Sequence, residues 1–205
     1  EHNIIKNAKP FPQADYIICE STYGDRLHEK IDVTENKLLD IVHQTCVIKK
    51  GKLIIPAFSL GRTQEIVYTL DKLESSGKLP PINVYVDSPL STNATQIMKN
   101  HPECYNKSVL EYMESDPDPF GFNRLKYIRD VNESKMLNTL DQPCIIISAS
   151  GMMEAGRILH HLRNNIGEKK NTVLVVGYCS PYTLGHRISR GDKLIKLFGE
   201  EIKVK

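Results

Sequence analysis

Residues 14–26 read ADYIICESTYGDR, and this stretch decides how the rest of the chain is interpreted. It opens with an unbroken apolar run at residues 16–19, of the kind that forms a strand buried on both faces of a parallel sheet. The run stops at a carboxylate, Glu20, and continues with hydroxyl side chains and a glycine. Because open α/β sheets bind ligands at the carboxyl ends of their strands, the pattern favours a functional edge. An ordinary polar loop after a strand is the alternative.

Further along, apolar runs alternate with helical patterns. Strands are predicted over residues 53–55, 82–86, 144–147 and 172–176. Helices are predicted over about 34–48, 61–75, 92–99, 105–115 and 131–139, in the latter part of 148–163, and over a short stretch after Leu184. Solid apolar strands that alternate with helices predict a Rossmann-like α/β domain, a mainly parallel sheet with helices on both faces. We expect one domain over residues 1–205, an elaboration within it at 101–141, and two short strands in the tail.

The composition is that of a globular protein. With 40% hydrophobic and 25% charged residues, the 205-residue chain can bury a sizeable core. No apolar run reaches about 18 residues, so no membrane span is predicted. The net charge of +2 permits a nucleic-acid partner without arguing for one. Five widely spaced cysteines, of which Cys19, Cys144 and Cys179 lie in or just after apolar runs, indicate reduced, mostly buried thiols in a cytoplasmic protein.

Polar groups follow each of the five predicted strands. If these strands are parallel, one edge of the sheet carries Glu20 to Thr22, Phe58 and Ser59, Asp87 and Ser88, Ser148 to Gly151, and Gly177 to Ser180. Ser150 and Gly151 stand between a strand and a helix, where the free N–H groups of a first helical turn bind phosphate without a lysine. Alternatively, Ser150 only caps that helix.

Charged side chains near this edge leave the chemistry open. Arg62, at the start of the second helix, either holds a phosphate with two donors or is a solvated first-turn residue, and Arg187 has the same two interpretations. His160 and His161 are adjacent on a helix and point about 100° apart, so we expect one to pack and the other to face solvent. Spacing alone gives no complete metal site, no nucleophile arrangement and no nucleotide-binding glycine motif.

Five segments together carry a family resemblance. In chain order they are IICESTYGDRLHE, LIIPAFSLGRTQEIVYTL, VYVDSPL, IIISASGMMEAGRILHHL and VLVVGYCSPYTLGHRI. They resemble the β-CASP domain, which is inserted in metallo-β-lactamase-fold nucleases that process RNA. The resemblance covers nearly the whole chain, and the ESTYG and SGMMEAGR segments are its most specific parts.

The resemblance implies an activity whose metal ligands this sequence lacks. Family members hydrolyse phosphodiester bonds, as endo- or exonucleases, with two zinc ions held by a His-x-His-x-Asp-His run, a further His and an Asp on the lactamase-fold domain. No such run occurs here. We therefore interpret the chain as an excised domain, inactive alone, of a zinc-dependent ribonuclease. Its expected partners are the metallo-β-lactamase domain of the same chain and RNA, single-stranded rather than double-stranded.

The resemblance also assigns site residues. Glu20 matches the first β-CASP acid, which is expected at the rim of the metal site, where it orients a histidine. The RNA-facing positions it implies are Ser21, Thr22, Ser59, Arg62, Ser148, Ser150, Gly151, Thr183 and Arg187. The last family segment often reads Gly-Thr-Leu-Gly-Arg, whereas this chain has Tyr182 and His186 at its first and last positions. This difference leaves open which side chain touches phosphate.

Two other functions stay open. One is a stand-alone RNA-binding or protein-interaction module without catalysis. The other is a small doubly wound enzyme that binds a mononucleotide at Ser150 and Gly151. The central expectation is geometric, namely that Glu20, Ser59, Asp87 and Ser150 line a common rim.

Overall fold

Five parallel strands, seven α-helices and one antiparallel hairpin make up the part of the chain that the computed structural model describes, residues 4–25 and 31–205, with side chains from residue 33 onward in the second range. The helices are α1 (Ile31–Val42), α2 (Arg62–Ser75), α3 (Pro89–Lys99), α4 (Lys107–Tyr112), α5 (Val131–Thr139), α6 (Ile158–Asn165) and α7 (Leu184–Ser189). The strands are β1 (Lys52–Pro56), β2 (Asn83–Val86), β3 (Leu125–Tyr127), β4 (Cys144–Ser148), β5 (Thr172–Val173), β6 (Leu194–Leu197) and β7 (Glu200–Lys203).

The central sheet has the strand order β3, β2, β4, β1, β5, and every neighbouring pair is parallel. β4 lies in the middle and pairs with β1 from Lys52–Cys144 to Pro56–Ser148. Every residue of β1 and β4 is buried. This is the behaviour expected of continuous apolar runs in a parallel sheet, and it confirms the predicted α/β architecture.

Helices cover both faces of the sheet. Leu53 and Ile55 of β1 point into a core shared with α1, α2 and α4, whereas Ile54 points into a core shared with α6, α7 and the β6–β7 hairpin. Each such side chain contributes about 1.5–3 kcal/mol when it is fully buried. The alternation of strand side chains therefore holds the two helical layers on opposite faces.

Most predicted elements are confirmed, with small differences in their bounds. α1 continues as a π-helical segment, His43–Ile48, so the helix predicted at 34–48 is present with two geometries. The segment 101–141, expected to be an elaboration, contributes β3 to one edge of the central sheet and α5 to one of its faces. The tail forms the expected hairpin of β6 and β7. None of the helices in the described ranges is long and apolar enough to cross a membrane.

The strand predicted at residues 16–19 is wrong for this structure. These residues have no strand conformation, Tyr16 is 92% exposed, and Ile18 is fully exposed. The physical reason is that, in residues 4–25 and 31–205, no strand pairs with this run, and the edges of the sheet are formed by β3 and β5. Cys19 is consequently exposed rather than buried, whereas Cys144 and Cys179 are buried as expected. Arg26, the last residue of the quoted stretch, lies outside the described residues.

Candidate functional site

The carboxyl edge of the sheet, around the end of β4, is where the strand order predicts a ligand crevice. The helix after β1 packs on one face of the sheet, and the helix after β4 packs on the other. β1 and β4 are neighbours in the sheet, and the connections that follow them run to opposite faces. This arrangement creates ligand crevices in open α/β sheets. We call the loops that follow β1, β2, β4 and β5 (residues 57–61, 87–88, 149–157 and 174–183) the carboxyl rim.

The rim brings several predicted residues together. The hydroxyl oxygens of Ser59 and Ser88 are 3.5 Å apart, and the Ser148 hydroxyl donates to the Asp87 carbonyl at 2.9 Å. A Cβ at Gly151 would lie 3.2 Å from the backbone nitrogen of Phe58, a tight contact, so a glycine at this position favours the close packing of the loops after β1 and β4. Ser59, Asp87, Ser148 and Gly151 therefore share one short stretch of the rim.

A buried glutamine, Gln64, fixes the loop after β1. Its Nε2 donates to the Ser59 carbonyl at 3.1 Å and to Thr95 Oγ1 at 2.9 Å, while its Oε1 accepts from the Gly61 N–H at 2.7 Å. Gln64 does not stand out in the sequence pattern as a functional residue. A glutamine three residues after a helix-opening glycine is a signal that could have identified it.

Ser150 does not lie at the start of a helix, which corrects its placement as a helix cap or in a first helical turn. Its contact with RNA stays a prediction. Its hydroxyl accepts hydrogen bonds from the N–H groups of Glu154 and Ala155, at 3.2 and 3.3 Å. α6 begins only at Ile158. Residues 151–157 form extra turns that the strand-to-helix pattern did not reveal. Ser150 caps this loop and not α6.

The strongest electrostatic feature of the rim is a buried carboxylate, Asp87. One oxygen accepts from the Ser134 hydroxyl and lies 2.7 Å from His161 Nε2, and the other accepts from Arg157 at 2.7 Å. Burial alone would raise the pKa of Asp87, but the hydrogen bonds from His161, Ser134 and Arg157 outweigh burial and hold that pKa below its usual range. The network ties the rim to α5 and α6.

His161 and His160 behave as the helical geometry predicts. His161 is completely buried, with Nδ1 2.9 Å from the side-chain oxygen of Asn138. His160 is exposed and stacks on Phe198 with ring centroids 4.8 Å apart. The sequence did not show that Asp87, Arg157 and His161 would meet.

Three other predicted residues are engaged in local contacts. Arg62 pairs with Glu65 at 2.8 Å within the first turn of α2, and its side chain remains 45% exposed. Thr183 caps α7 by accepting from the His186 N–H at 3.2 Å. Arg187 donates to Asp192 at 3.0 Å and to a backbone carbonyl. Their roles in RNA binding stay predictions.

The segment of Glu20, Ser21 and Thr22 lies on the surface. The Thr22 N–H donates to Glu20 Oε2 at 2.9 Å, and hydrogen bonds from the side chain and backbone of Thr22 hold the pKa of Glu20 below its usual range. The Ser21 carbonyl accepts from the Gly24 N–H at 2.9 Å and closes a turn. Within that turn the Tyr23 ring meets the Tyr178 ring edge-on, with centroids 6.1 Å apart. This contact places the turn against the β5 end of the rim.

The residues that the structure describes do not fit a metal centre. In residues 4–25 and 31–205, no three His, Cys, Asp or Glu side chains form a group that could hold a metal ion. The zinc ions that the resemblance implies are therefore not assigned to any residue of this part of the chain.

Comparisons with known proteins match a family and a set of relatives. The model of the Beta-Casp domain matches residues 63–188. Ribonuclease TTHA0252 of Thermus thermophilus is 30% identical over 205 residues, which are 100% of this chain and 47% of the relative. Transcription termination factor FttA of Methanococcus maripaludis is 34% identical over 93% of this chain and 30% of its own length. Cleavage and polyadenylation specificity factor 73 of Drosophila melanogaster is 28% identical over 94% and 28%. The chain thus spans less than half the length of these relatives.

Proposed function

The chain belongs to the Beta-Casp family, and we propose that it clamps RNA over the metal centre of a zinc-dependent nuclease that hydrolyses phosphodiester bonds. Relatives named as a ribonuclease and as a cleavage and polyadenylation specificity factor support RNA as the substrate. The short share of those relatives that the chain covers supports a larger protein in which further residues supply the metal ligands. The proposal holds for endo- and exonuclease action alike.

One observation carries this proposal, the exposed apolar run just before Glu20. Tyr16, Ile17 and Ile18 are all exposed, although each is a residue type that sheets bury. Burying such side chains is worth about 1.5–3 kcal/mol each, and contiguous exposed apolar patches mark interaction surfaces. We infer that the sheet of a second domain pairs with this run. We assign that role to a metallo-β-lactamase domain of the same protein.

This pairing would bring Glu20 to the domain interface. Glu20 ends the exposed run, is ionised at neutral pH, and already accepts hydrogen bonds from the backbone and side chain of Thr22. A further carboxylate lone pair remains suited to accept from a histidine N–H of the partner domain. Such a hydrogen bond fixes the orientation and tautomer of a metal-binding histidine. In this proposal Glu20 is a positioning residue.

RNA would lie in the crevice at the end of β4. The exposed Arg62 supplies donors on the β1 side, and Gly151 lets the backbone approach closely on the β4 side. The buried Ser59 and Ser88 hydroxyls, 3.5 Å apart, support the loops beneath the strand. Contacts of this kind bind the phosphate backbone and carry little sequence information. We propose single-stranded RNA, because an unpaired strand can follow a crevice between loops.

The test uses the intact protein that contains this chain. Glu20→Gln removes the charge and keeps the shape, and we expect it to lower kcat for RNA hydrolysis roughly 10- to 100-fold while RNA affinity changes less than about twofold. Glu201→Gln, at an exposed position on β7, is the matched control and should leave kcat unchanged. An unchanged kcat for Glu20→Gln would contradict the assigned role. Tight RNA binding without hydrolysis by the intact wild type would favour the non-catalytic RNA-binding module instead.

A further inference from the structure

We propose that Tyr182 is the platform on which one unpaired RNA base stacks, beside a cationic pocket that holds the adjoining phosphate. The inference rests on the proposed function and adds a base-binding position to it. Tyr182 lies within the matched residues and at the end of the carboxyl rim, and neither the match nor the rim contacts described above assign it a ligand.

The pocket lies next to the loop after β5. It is an open depression of about 330 Å³, lined by Pro181, Tyr182, His186, Arg187 and Arg190. Tyr182 lies at the edge of this pocket and is 95% exposed. An aromatic ring beside guanidinium groups is the combination that binds single-stranded nucleic acid, because bases stack on the ring and phosphates pair with the cations.

The backbone holds the Tyr182 ring in solvent at a conformational cost. Tyr182 has a φ of +71°, a left-handed conformation that strains a residue with a bulky side chain. The flanking turn is fixed, since Thr183 donates to the Ser180 carbonyl through both its N–H (3.2 Å) and its hydroxyl (2.7 Å). Because the ring is exposed, packing within this domain does not offset the strain. The fold alone therefore gives no reason for a tyrosine at this position.

The charges of the pocket suit a phosphodiester. Arg187 and Arg190 both pair with Asp192, at 3.0 and 2.6 Å, so two guanidinium groups share a single carboxylate. The pocket keeps a surplus positive charge, and the ion pairs hold both guanidinium groups in place. Both arginine side chains remain accessible, at 37% and 62% exposure. A phosphate next to a stacked base would meet them directly.

The experiment measures binding of the intact protein to a fluorescein-labelled decauridylate by fluorescence anisotropy, with EDTA present to prevent hydrolysis. We expect Tyr182→Ala and Tyr182→Gly to weaken binding roughly 5- to 150-fold, as removal of one stacking ring does. Tyr182→Phe keeps the ring and should bind within about twofold of wild type. The same strand with abasic sugars should bind the wild type as weakly as the intact strand binds Tyr182→Ala.

Two controls separate lost stacking from lost structure. Tyr182→Gly should unfold at the same urea concentration as wild type or a higher one, because glycine adopts a positive φ without strain. Phe198 is a second exposed aromatic residue with a positive φ, on the turn between β6 and β7, and Phe198→Ala should leave RNA affinity unchanged.

The possible outcomes distinguish the two proposals. If the wild type binds the RNA and Tyr182→Ala binds it equally well, the stacking position is wrong and the proposed function stands. If Tyr182→Ala weakens binding of the normal and abasic strands alike, the ring does not contact a base, and the inference is also overturned. If the wild type neither binds nor cleaves RNA, both proposals fail.

Discussion

Asp87 Oδ2 and His161 Nε2 lie 2.7 Å apart, and both side chains are completely buried. They join the end of β2 to the first turn of α6, across 74 positions of sequence. Arg157 completes the arrangement by donating to the other Asp87 oxygen and to the Arg129 carbonyl, both at 2.7 Å. The carboxyl rim is therefore anchored through one carboxylate.

Removing the Asp87 carboxylate should lower the stability of the folded protein. Asp87→Ala leaves Arg157 and His161 without their acceptor, and we expect a loss of about 3–5 kcal/mol in the free energy of unfolding. Urea denaturation at pH 7 measures it. The control is Glu133→Ala, which breaks an exposed 3.0 Å pair with Lys126 and should cost less than about 1 kcal/mol. Equal losses for the two variants would show that Asp87 does not anchor the rim.

A second buried carboxylate, Asp71, should make stability depend on pH. Burial, aided by the neighbouring charges of Asp116, Asp118 and Glu74, raises the pKa of Asp71 to about 7, although a hydrogen bond from Tyr112 opposes the shift. Within the described residues, Asp71 Oδ1 is a buried side-chain atom without a hydrogen-bond partner. As the pH rises, the Asp71 carboxyl loses its proton near pH 3.8 in the unfolded chain but only near pH 7 in the folded chain.

Protonation of Asp71 therefore favours the folded state, and a rise in pH lowers the free energy of unfolding. The stabilisation from the protonated Asp71 is complete below about pH 4 and is lost as the pH rises towards 7, by about 4 kcal/mol in total. In Asp71→Asn this fall should be absent, so urea midpoints of the two proteins should diverge between pH 4 and pH 7. Parallel curves would contradict the raised pKa. Asp141→Asn, at an exposed position paired with Lys170, is the control and should follow the wild type above pH 5.

The loop after β4 should tolerate no side chain at Gly156. This residue has a φ of +86°, and a Cβ there would lie 2.4 Å from the Ala149 carbonyl oxygen. Gly156→Ala should lower the free energy of unfolding by roughly 2–5 kcal/mol and weaken RNA binding. Gly77→Ala is matched in φ, at +69°, but has open space around the added Cβ, and should cost only about 1 kcal/mol. Similar costs for both variants would mean that close packing at the rim is unimportant.

The exposed run before Glu20 should matter only in the intact protein. In the isolated chain, Ile18→Asp changes a fully exposed side chain and should alter stability by less than about 0.5 kcal/mol. In the intact protein the same change would bury an unpaired carboxylate, and we expect a loss of at least about 2 kcal/mol. Thermal or urea unfolding of both forms measures the difference. A small effect in both would remove the support for a partner sheet.

Features set by neighbouring residues in the sequence could be predicted, whereas contacts between residues far apart in the sequence could not. Residues 53–55 and 144–147 are predicted well, because strands buried on both faces of a parallel sheet show as continuous apolar runs. Residues 16–19 have the same pattern, but a pattern does not tell which sheet a strand joins. The helix predicted in the latter part of residues 148–163 is confirmed as α6, but the extra turns at 151–157 before it do not show in a strand-to-helix pattern. The contact of Asp87 with His161 depends on strand order, which local periodicity does not encode.

The most direct test of the central claim compares cleavage of one labelled single-stranded RNA by the intact protein and by the isolated chain of residues 1–205, at equal concentrations with zinc. Our account predicts that the intact protein cuts the strand and that the isolated, folded chain does not. Comparable cutting by the isolated chain, or none by the intact protein, would contradict it.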